Sequence, residues 1–274
     1  MGKGREVLKL LVGRAAEAAF PSLGREIDDD RNTARAPKLK RAILLARLER
    51  ARARGDSSAI EKSLAAFWKG NAGDNFHDNY ASERFDLFLE HHAGLVDVLA
   101  SLLEQHGTRF SRLVEIGCGD GTVLAYCVDR LPSIREAVGL DINAAVIERV
   151  AAEQPPGSKI SFAAAEARDW LVANPKPGTV MLTNGGVLEY FSQENFDALL
   201  QALALSPPAA IALIEPVAPA HNLQAQPNSF VFGHERSFSH NHSRRLNQAG
   251  FDVVHEQELQ LHTVRWKLMI GLRA

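Results

Sequence analysis

The chain has 274 residues, is 46% hydrophobic and 23% charged, and carries a formal net charge of −2. This composition is ordinary for a globular protein and excludes disorder, collagen or coiled coil as a description of the whole chain. No uncharged apolar run reaches the ~18 residues of a membrane span, and the amphipathic N-terminus is unlike a signal peptide. Two cysteines are too few for a disulfide scaffold. We therefore expect a cytoplasmic protein without a membrane partner.

The first 106 residues have helical patterning and are interpreted as a helical N-terminal lobe that caps the rest of the chain. A segment with two prolines and three successive aspartates interrupts it and predicts a linker. The predicted segments are a helix over 1–20, a linker over 21–37, helices over 37–54 and 57–69, an irregular polar stretch over 71–79, and one or two helices over 80–106.

A cluster of positive charge lies inside this lobe. Residues 31–54 contain nine lysines and arginines and a single acidic residue, Glu49. A solvated helix face explains such a run, and so does contact with a polyanion such as RNA or a phosphorylated substrate. Residues 111–274 are instead acidic overall, which suits a small buried substrate better than a nucleic acid.

From residue 107 onward, short apolar runs alternate with helical stretches. The runs are Leu113–Ile116, Ala137–Leu140, Ile160–Ala163, Thr179–Leu182, Ala210–Ile214, Phe251–Val254 and Val264–Leu272. Helix-like segments separate the first five runs, so these predict a parallel sheet with crossover helices. A short turn joins the last two, which predict an antiparallel hairpin. We expect an α/β domain over 107–274, with a seven-stranded, mostly parallel sheet and helices on both faces.

The strongest motif opens this domain. Glu115 ends the first strand and precedes three glycines at alternate positions, Gly117, Gly119 and Gly121. Glycines let the backbone turn tightly and let a ligand lie against it. Asp141 ends the next strand, 20 residues after Gly121, where a carboxylate can accept hydrogen bonds from both hydroxyls of a ribose. The two features together indicate a cofactor that contains adenosine.

On these motifs, residues 112–274 resemble the class I S-adenosylmethionine-dependent methyltransferases. The resemblance implies a Rossmann-like fold, S-adenosylmethionine as cofactor and S-adenosylhomocysteine as product. A nicotinamide-dependent oxidoreductase is the competing interpretation, but its fingerprint places the third glycine one residue later. A cofactor-binding protein without catalysis is the remaining alternative.

The resemblance also implies which residues bind the cofactor. The glycine loop would cradle its amino-acid part, Asp141 the ribose, and Ile142 the adenine. Glu166 replaces the aspartate that the family often has after the third strand. The implied cofactor residues are Glu115, Gly117, Cys118, Gly119, Gly121, Asp141, Ile142, Glu166, Ala167, Asn184, Tyr80 and Arg84.

Tyr80 and Arg84 enter this set because family members often fold a helix that precedes the first motif over the cofactor carboxylate. The two residues are four apart, so they share one side of a helix. The alternative is that Tyr80 is a core aromatic residue and that Arg84 pairs with a surface acid.

Methyl transfer from a sulfonium needs mainly proximity and alignment, although a hydroxyl or amine nucleophile also needs a base. The predicted catalytic candidates are His240, His242 and Glu189. Either histidine could instead cap the helix that begins near Ser243 or lie in solvent. No third ligand is spaced to join the two histidines, so no metal is expected.

The sequence therefore predicts a methyltransferase for a small-molecule acceptor, with metal-free O-methylation ahead of N-methylation. The alternative is an RNA or protein methyltransferase that binds its substrate through residues 31–54. Many RNA enzymes of this type carry an Asn-Pro-Pro-Tyr-like motif after the fourth strand, where this chain has Asn184 followed by two glycines. A homodimer stays open as an oligomeric state.

Overall fold

A computed structural model describes residues 3–28, 37–70 and 82–274 of the chain. The strands are β1 (Arg112–Ile116), β2 (Glu136–Asp141), β3 (Ile160–Ala164), β4 (Thr179–Asn184), β5 (Ala209–Val217), β6 (Phe230–Phe232), β7 (Ser237–Ser239), β8 (Asp252–Leu261) and β9 (Val264–Arg273). The α-helices named below are α1 (Lys3–Ala19), α2 (Pro21–Asp28), α3 (Pro37–Ala53), α4 (Ser57–Lys69), α5 (Gly94–Gln105), α6 (Thr122–Arg130), α7 (Ala144–Ala152), α8 (Ala167–Ala173), α9 (Gln193–Ala204) and α10 (His242–Gln248).

Seven of the strands form one sheet in the order β3-β2-β1-β4-β5-β9-β8. β1 to β5 pair in parallel, and β9 runs antiparallel to both of its neighbours. The predicted α/β fold with a terminal antiparallel hairpin is thereby confirmed. β6 and β7 form a separate small hairpin that the sequence pattern did not predict.

The sheet is covered on both faces, as a parallel sheet requires. Alternate residues of each strand face opposite sides, so Leu113 and Val114 enter different apolar clusters. α5 and α6 pack on the Leu113 side, and α8, α9 and α10 pack on the Val114 side. α5 thus belongs to the packing of the sheet, although it precedes the predicted division of the chain at residue 106, which stays a prediction.

The prediction of a linker over residues 21–37 is wrong for residues 21–28, which form α2. Pro21 occupies the first helical position, where its missing N–H costs nothing. Leu23 and Ile27 then pack with Ile43 of α3, and this burial holds the segment in a helix. Residues 29–36 and the predicted irregular stretch over 71–79 lie outside the described residues. The predicted helices α3 and α4 are confirmed.

The helical lobe is attached to the sheet domain through the β6–β7 hairpin. Leu48 of α3 and Leu64 of α4 pack against Phe238 of β7. Arg236 of the hairpin also forms an ion pair with Glu49 at 2.7 Å. Across the described ranges, no helix combines the length and the apolar character that a membrane span needs.

α1 and α3 pack closely at a glycine, and this contact is testable. A Cβ atom on Gly13 would lie 2.0 Å from the Ala42 carbonyl oxygen, whereas one on Gly4 of the same helix would meet nothing within 4 Å. Inside a helix, alanine in place of glycine stabilises the helix by up to about 1 kcal/mol, but overpacking destabilises the folded protein by ~1–3 kcal/mol. We expect Gly13→Ala to raise hydrogen exchange in α1 and α3. Gly4→Ala, the matched control, should leave it unchanged or lower it. Equal behaviour of the two variants would contradict the packing.

Candidate active site

A cavity opens at the carboxyl ends of β1, β2 and β4. The strand order reverses between β1 and β4, and ligands of open α/β sheets bind at such a point. The predicted residues that line the cavity are Gly117, Asp141, Ile142, Glu166, Ala167 and Arg84. Its opposite wall comes from α4, where Glu61, Ala65 and Trp68 share one helix face.

The glycine loop has the backbone conformation that its sequence predicts. Gly117, Gly119 and Gly121 all have positive φ angles, of 69°, 52° and 76°, which other residues rarely adopt. A Cβ atom on Gly117 would also lie 2.6 Å from a methyl carbon of Val187. The Cys118 side chain packs into an apolar cluster instead. The loop therefore presents backbone to the cavity.

Asp141 is held by two backbone amides. Its Oδ2 accepts a hydrogen bond from the Gly119 N–H at 3.1 Å, and its Oδ1 accepts one from the Asn143 N–H at 2.9 Å. A carboxylate oxygen accepts more than one hydrogen bond. The Asp141 carboxylate is therefore fixed at the cavity wall with acceptor capacity left for a ligand.

Asn143 is a residue that the sequence interpretation missed. Its Oδ1 caps α7 by accepting from two backbone amides, a local role that its position before a helix could have indicated. Its Nδ2 also donates to the Trp68 carbonyl oxygen at 3.0 Å. Nearby, Lys69 forms an ion pair with Glu166 at 2.7 Å. The end of α4 is thus bound to the residues that follow β2 and β3.

On the other side of the glycine loop, Oε2 of Glu115 is a buried oxygen that lacks a hydrogen-bond partner among the described residues. Arg84 is close, since a Cβ atom on Gly185 would lie 2.5 Å from its Nη2 atom. Burial and Asp120 raise the pKa of Glu115 well above its ordinary value, and Arg84 acts in the opposite direction. An unsatisfied buried oxygen beside a guanidinium can bind a ligand that carries both charges.

His92, also missed, lies beside Asn184. A π-helical turn, Phe88–His92, places it there, and such turns are frequent at functional sites. Its ring lies 5.0 Å from that of Trp266, between centroids. Burial lowers the pKa of His92 to about 4, and a hydrogen bond with Asn184 acts in the opposite direction. His92 is therefore neutral at physiological pH, and no local sequence signal marks it.

Two carboxyl groups lie next to residues 185–187, which line the cavity, although neither carboxyl is among the lining residues. Glu215 is fully buried at the end of β5, and its oxygens accept from the backbone N–H groups of Val187 and Leu188 at 3.3 and 3.0 Å. Burial raises the pKa of Glu215 to about 8. Glu189 reaches back toward Gly186, on which a Cβ atom would lie 2.6 Å from its Oε1. Burial raises the pKa of Glu189 to about 7, and a hydrogen bond with Ser237 acts in the opposite direction.

The two candidate histidines are buried and lie outside the set of residues that line the cavity. His240 Nε2 donates to the Leu188 carbonyl oxygen at 2.9 Å, and its Nδ1 accepts from the Ser229 hydroxyl at 2.7 Å. Burial lowers the pKa of His240 to about 4 and that of His242 well below its ordinary value. Asn241, not a histidine, caps α10. This geometry favours a structural role for both, and the catalytic role stays a prediction. Tyr80 lies outside the described residues.

Comparison with known proteins gives a family match and several fold matches. Residues 59–260 match a family model described as a methyltransferase domain. A 68-residue segment is 37% identical to trans-aconitate 2-methyltransferase of Streptomyces avermitilis, covering 24% of this chain and 25% of that protein. The match thus spans only a quarter of that relative's length.

Two solved structures are similar over most of the chain. One is the magnesium protoporphyrin IX methyltransferase of Synechocystis with bound S-adenosylmethionine, at a TM-score of 0.54 and 15% identity, covering 78% of this chain and 97% of that one. The other is an S-adenosylmethionine-dependent methyltransferase of Leishmania major, at a TM-score of 0.53 and 14% identity, covering 78% and 83%. At these identities the likeness shows a shared fold.

The buried carboxyl of Glu215 predicts a pH dependence of stability. Its folded pKa of about 8 lies above the ordinary 4.5, so the folded state holds a proton that the unfolded state has lost. Stability should therefore fall as pH rises from about 4.5 to 8, by up to about 1.4 kcal/mol per pH unit. The lowered pKa of His240 has the opposite effect, because it makes stability increase as pH rises, but this increase ends at the ordinary histidine pKa of about 6.5.

Between about pH 6.5 and 8, urea unfolding should show a shallower loss of stability for Glu215→Gln than for the wild type. Glu194→Gln, an exposed acid in the first turn of α9, is the control and should keep the wild-type slope. An unchanged slope in Glu215→Gln would show that Glu215 is ionised in the folded protein.

Proposed function

Since this chain belongs to the S-adenosylmethionine-dependent methyltransferases, whose domain model matches residues 59–260, we propose that it methylates a small-molecule acceptor. S-adenosylmethionine is the cofactor and S-adenosylhomocysteine the product. The cofactor supplies an activated methyl group on a positively charged sulfur. The protein has to bind it, align the acceptor and remove the acceptor's proton.

The observation that carries the assignment of the site is the unsatisfied oxygen of Glu115 beside Arg84. The amino-acid part of the cofactor has one ammonium and one carboxylate group. Oε2 of Glu115 suits the ammonium, because it is a buried acceptor without a partner among the described residues. The Arg84 guanidinium suits the carboxylate. The residues present therefore fit the group that the family uses.

The nucleoside part fits the other half of the cavity. The fixed Asp141 carboxylate would accept hydrogen bonds from the ribose hydroxyls. Ile142 and Ala167 would supply apolar contacts to the adenine, with Glu166 at its edge. The positive-φ glycines leave the backbone of the loop open to the ligand.

We assign the helical lobe the role of a cap. The end of α4 is bound through Trp68 to Asn143 and through Lys69 to Glu166. The Trp68 ring also meets Tyr190 with centroids 5.1 Å apart. These contacts place apolar and aromatic groups over the cavity, where they would exclude water from the reacting atoms.

On the acceptor side we propose Glu189 as the general base. It lies next to Gly186, which lines the cavity, and burial raises its pKa to about 7, near the value that suits a base at neutral pH. It would take the proton of a hydroxyl acceptor, in line with O-methylation. Among the described residues, no group of three or more potential ligands could hold a metal ion, and we propose a transfer without one.

The alternative of a macromolecular substrate rests on the basic run over residues 31–54, of which residues 37–54 are described. Much of this charge is neutralised within the lobe. Glu17 pairs with Arg47 and Arg50, and Glu26 pairs with Lys40. Arg52 pairs with Glu49. This pairing favours a structural use of the basic residues over contact with a polyanion.

The cofactor assignment predicts that two variants separate the halves of the ligand. Asp141→Asn should weaken both S-adenosylhomocysteine and 5′-methylthioadenosine, which keeps the nucleoside but lacks the amino-acid part. Arg84→Gln should weaken only S-adenosylhomocysteine. Each loss should be about 10- to 100-fold, since a hydrogen bond to a charged group contributes ~1.5–3 kcal/mol. Isothermal titration calorimetry measures all four affinities.

Glu194→Gln is again the control and should bind both ligands like the wild type. If Arg84→Gln weakened both ligands equally, Arg84 would not face the amino-acid part. If Asp141→Asn bound as tightly as the wild type, another residue would hold the ribose.

If the acceptor is a small molecule, the fraction of a cell extract that contains small molecules should support methyl transfer by the enzyme. The low-molecular-weight fraction of a cell extract should support release of S-adenosylhomocysteine, and purified RNA and dialysed protein should not. Arg41→Glu, at an exposed basic residue of α3, should leave this turnover unchanged. RNA affinity that falls steeply with salt and is lost in Arg41→Glu would support the macromolecular alternative instead.

A further inference from the structure

The side of α1 that points away from the rest of the lobe carries four exposed apolar residues, called here the outer face. They are Val7, Leu8, Leu11 and Val12, with exposed fractions of 55%, 61%, 57% and 42%. Val7 and Leu11, Leu8 and Leu11, and Leu8 and Val12 are three or four positions apart, so the four side chains adjoin on the helix surface. Single exposed apolar side chains are ordinary, but a contiguous group of them marks a surface that binds something.

The opposite side of α1 is already in use. Gly13 lies against the Ala42 carbonyl of α3, and the buried Ala16 packs with Ile43. A rotation of α1 that buried the outer face would give up both of these contacts. Within the described part of the chain, the outer face therefore stays in contact with solvent.

A hollow with positive charge, called here the arginine hollow, adjoins the outer face about one helical turn further along α1. It is open to solvent and is lined by Arg14, Glu17, Ala18 and Arg50. Glu17 pairs with Arg50 at 2.5 Å and also with Arg47 at 2.6 Å, so one carboxylate serves two guanidinium groups. Arg14 is exposed and forms no ion pair among the described residues. The hollow therefore keeps a net positive charge after its ion pairs are formed.

We propose that α1 lies on an anionic phospholipid surface, with the outer face in the acyl region and the arginine hollow on the phosphate groups. An apolar helix face bordered by basic residues is what such a surface binds, and guanidinium groups match the geometry of phosphate oxygens. The expectation of no membrane partner rests on the lack of a spanning run, whereas a helix of this kind binds without crossing. The proposal is independent of the cofactor site.

Charge decides between this surface and a second copy of the chain. A two-fold contact buries the same patch of both copies, so it would bring two basic lobes together. Residues 31–54 alone contain nine lysines and arginines and one acidic residue. An anionic surface instead gains from the same charge, by about 1 kcal/mol for each basic residue close to it.

Co-sedimentation of the full chain with lipid vesicles tests the proposal. Vesicles of phosphatidylcholine mixed with phosphatidylglycerol should bind the chain, and phosphatidylcholine alone should bind it about tenfold more weakly or less. The affinity for the mixed vesicles should fall as salt is added. The double variant Leu8→Ser, Leu11→Ser should weaken this binding by about tenfold or more, because it removes apolar area from the contact. Arg14→Gln should weaken it about fivefold.

Leu205→Ser is the matched control, because Leu205 is also an exposed leucine, 72% accessible, but follows α9 outside the lobe. It should bind the mixed vesicles like the wild type. Thermal unfolding followed by circular dichroism should be unchanged in all variants, since each replaced side chain is exposed. If the double variant failed to fold, Arg14→Gln and the salt dependence would still test the contact.

Three results would overturn the proposal: no binding of the wild type to the mixed vesicles, equal binding to both kinds of vesicle, or wild-type binding by the folded double variant. Sedimentation equilibrium without lipid should show a monomer. A dimer that the double variant abolishes would also overturn it and would assign the outer face to a second copy of the chain.

Discussion

The register of β1 between β2 and β4 is the constraint on which the whole site depends. Ile116, the last residue of β1, pairs with Leu140 on one side and with Thr183 on the other. Asp141 and Asn184 therefore stand one residue further along, flanking the glycine loop. A shift of one residue in β2 would turn Asp141 to the opposite face, and the same shift in β4 would turn Asn184. Arg84 and α4 complete a site whose centre is already set by hydrogen bonds of the sheet.

The parts of this site that the sequence predicts are those whose signal is local. A strand, a glycine loop and a helix follow one another within a few residues around Gly119, and Asp141 ends the adjacent strand. The parts that it misses depend on packing between distant segments. Asn143 binds Trp68, which lies 75 residues earlier in the chain. Glu215 follows an apolar run, and no motif around it indicates a functional role. Its residue type makes His240 a catalytic candidate, yet its two ring nitrogens bind Leu188 and Ser229.

Burial of an acid disfavours its ionised form, and this free-energy cost helps to explain why an acid is present. Glu115 and Glu215 are both withdrawn from solvent, and burial raises the pKa of each. Glutamine in place of Glu115 would keep the size without the desolvation penalty of a charge. Glu215 differs, because each of its oxygens accepts a backbone N–H hydrogen bond and a glutamine would turn an NH2 group toward one of these donors. A ligand with positive charge is a physical reason to keep an acid at Glu115, because a cation repays the cost of ionisation in a site that excludes water.

The helical lobe packs against both the β6–β7 hairpin and the cavity edge of the sheet domain. α3 and α4 bury Leu48 and Leu64 against Phe238 of the hairpin, while the end of α4 binds Asn143 and Glu166 beside the sheet. The lobe is thus anchored on two sides of the cavity. Charged residues of α3 add two kinds of contact. Arg47 and Arg50 hold α1 within the lobe through Glu17, and Glu49 binds Arg236 of the hairpin. If the lobe acts as the proposed cap, an acceptor would fit between a cap bound at both edges and residues 185–190, and this geometry would favour a small molecule over a nucleic-acid duplex.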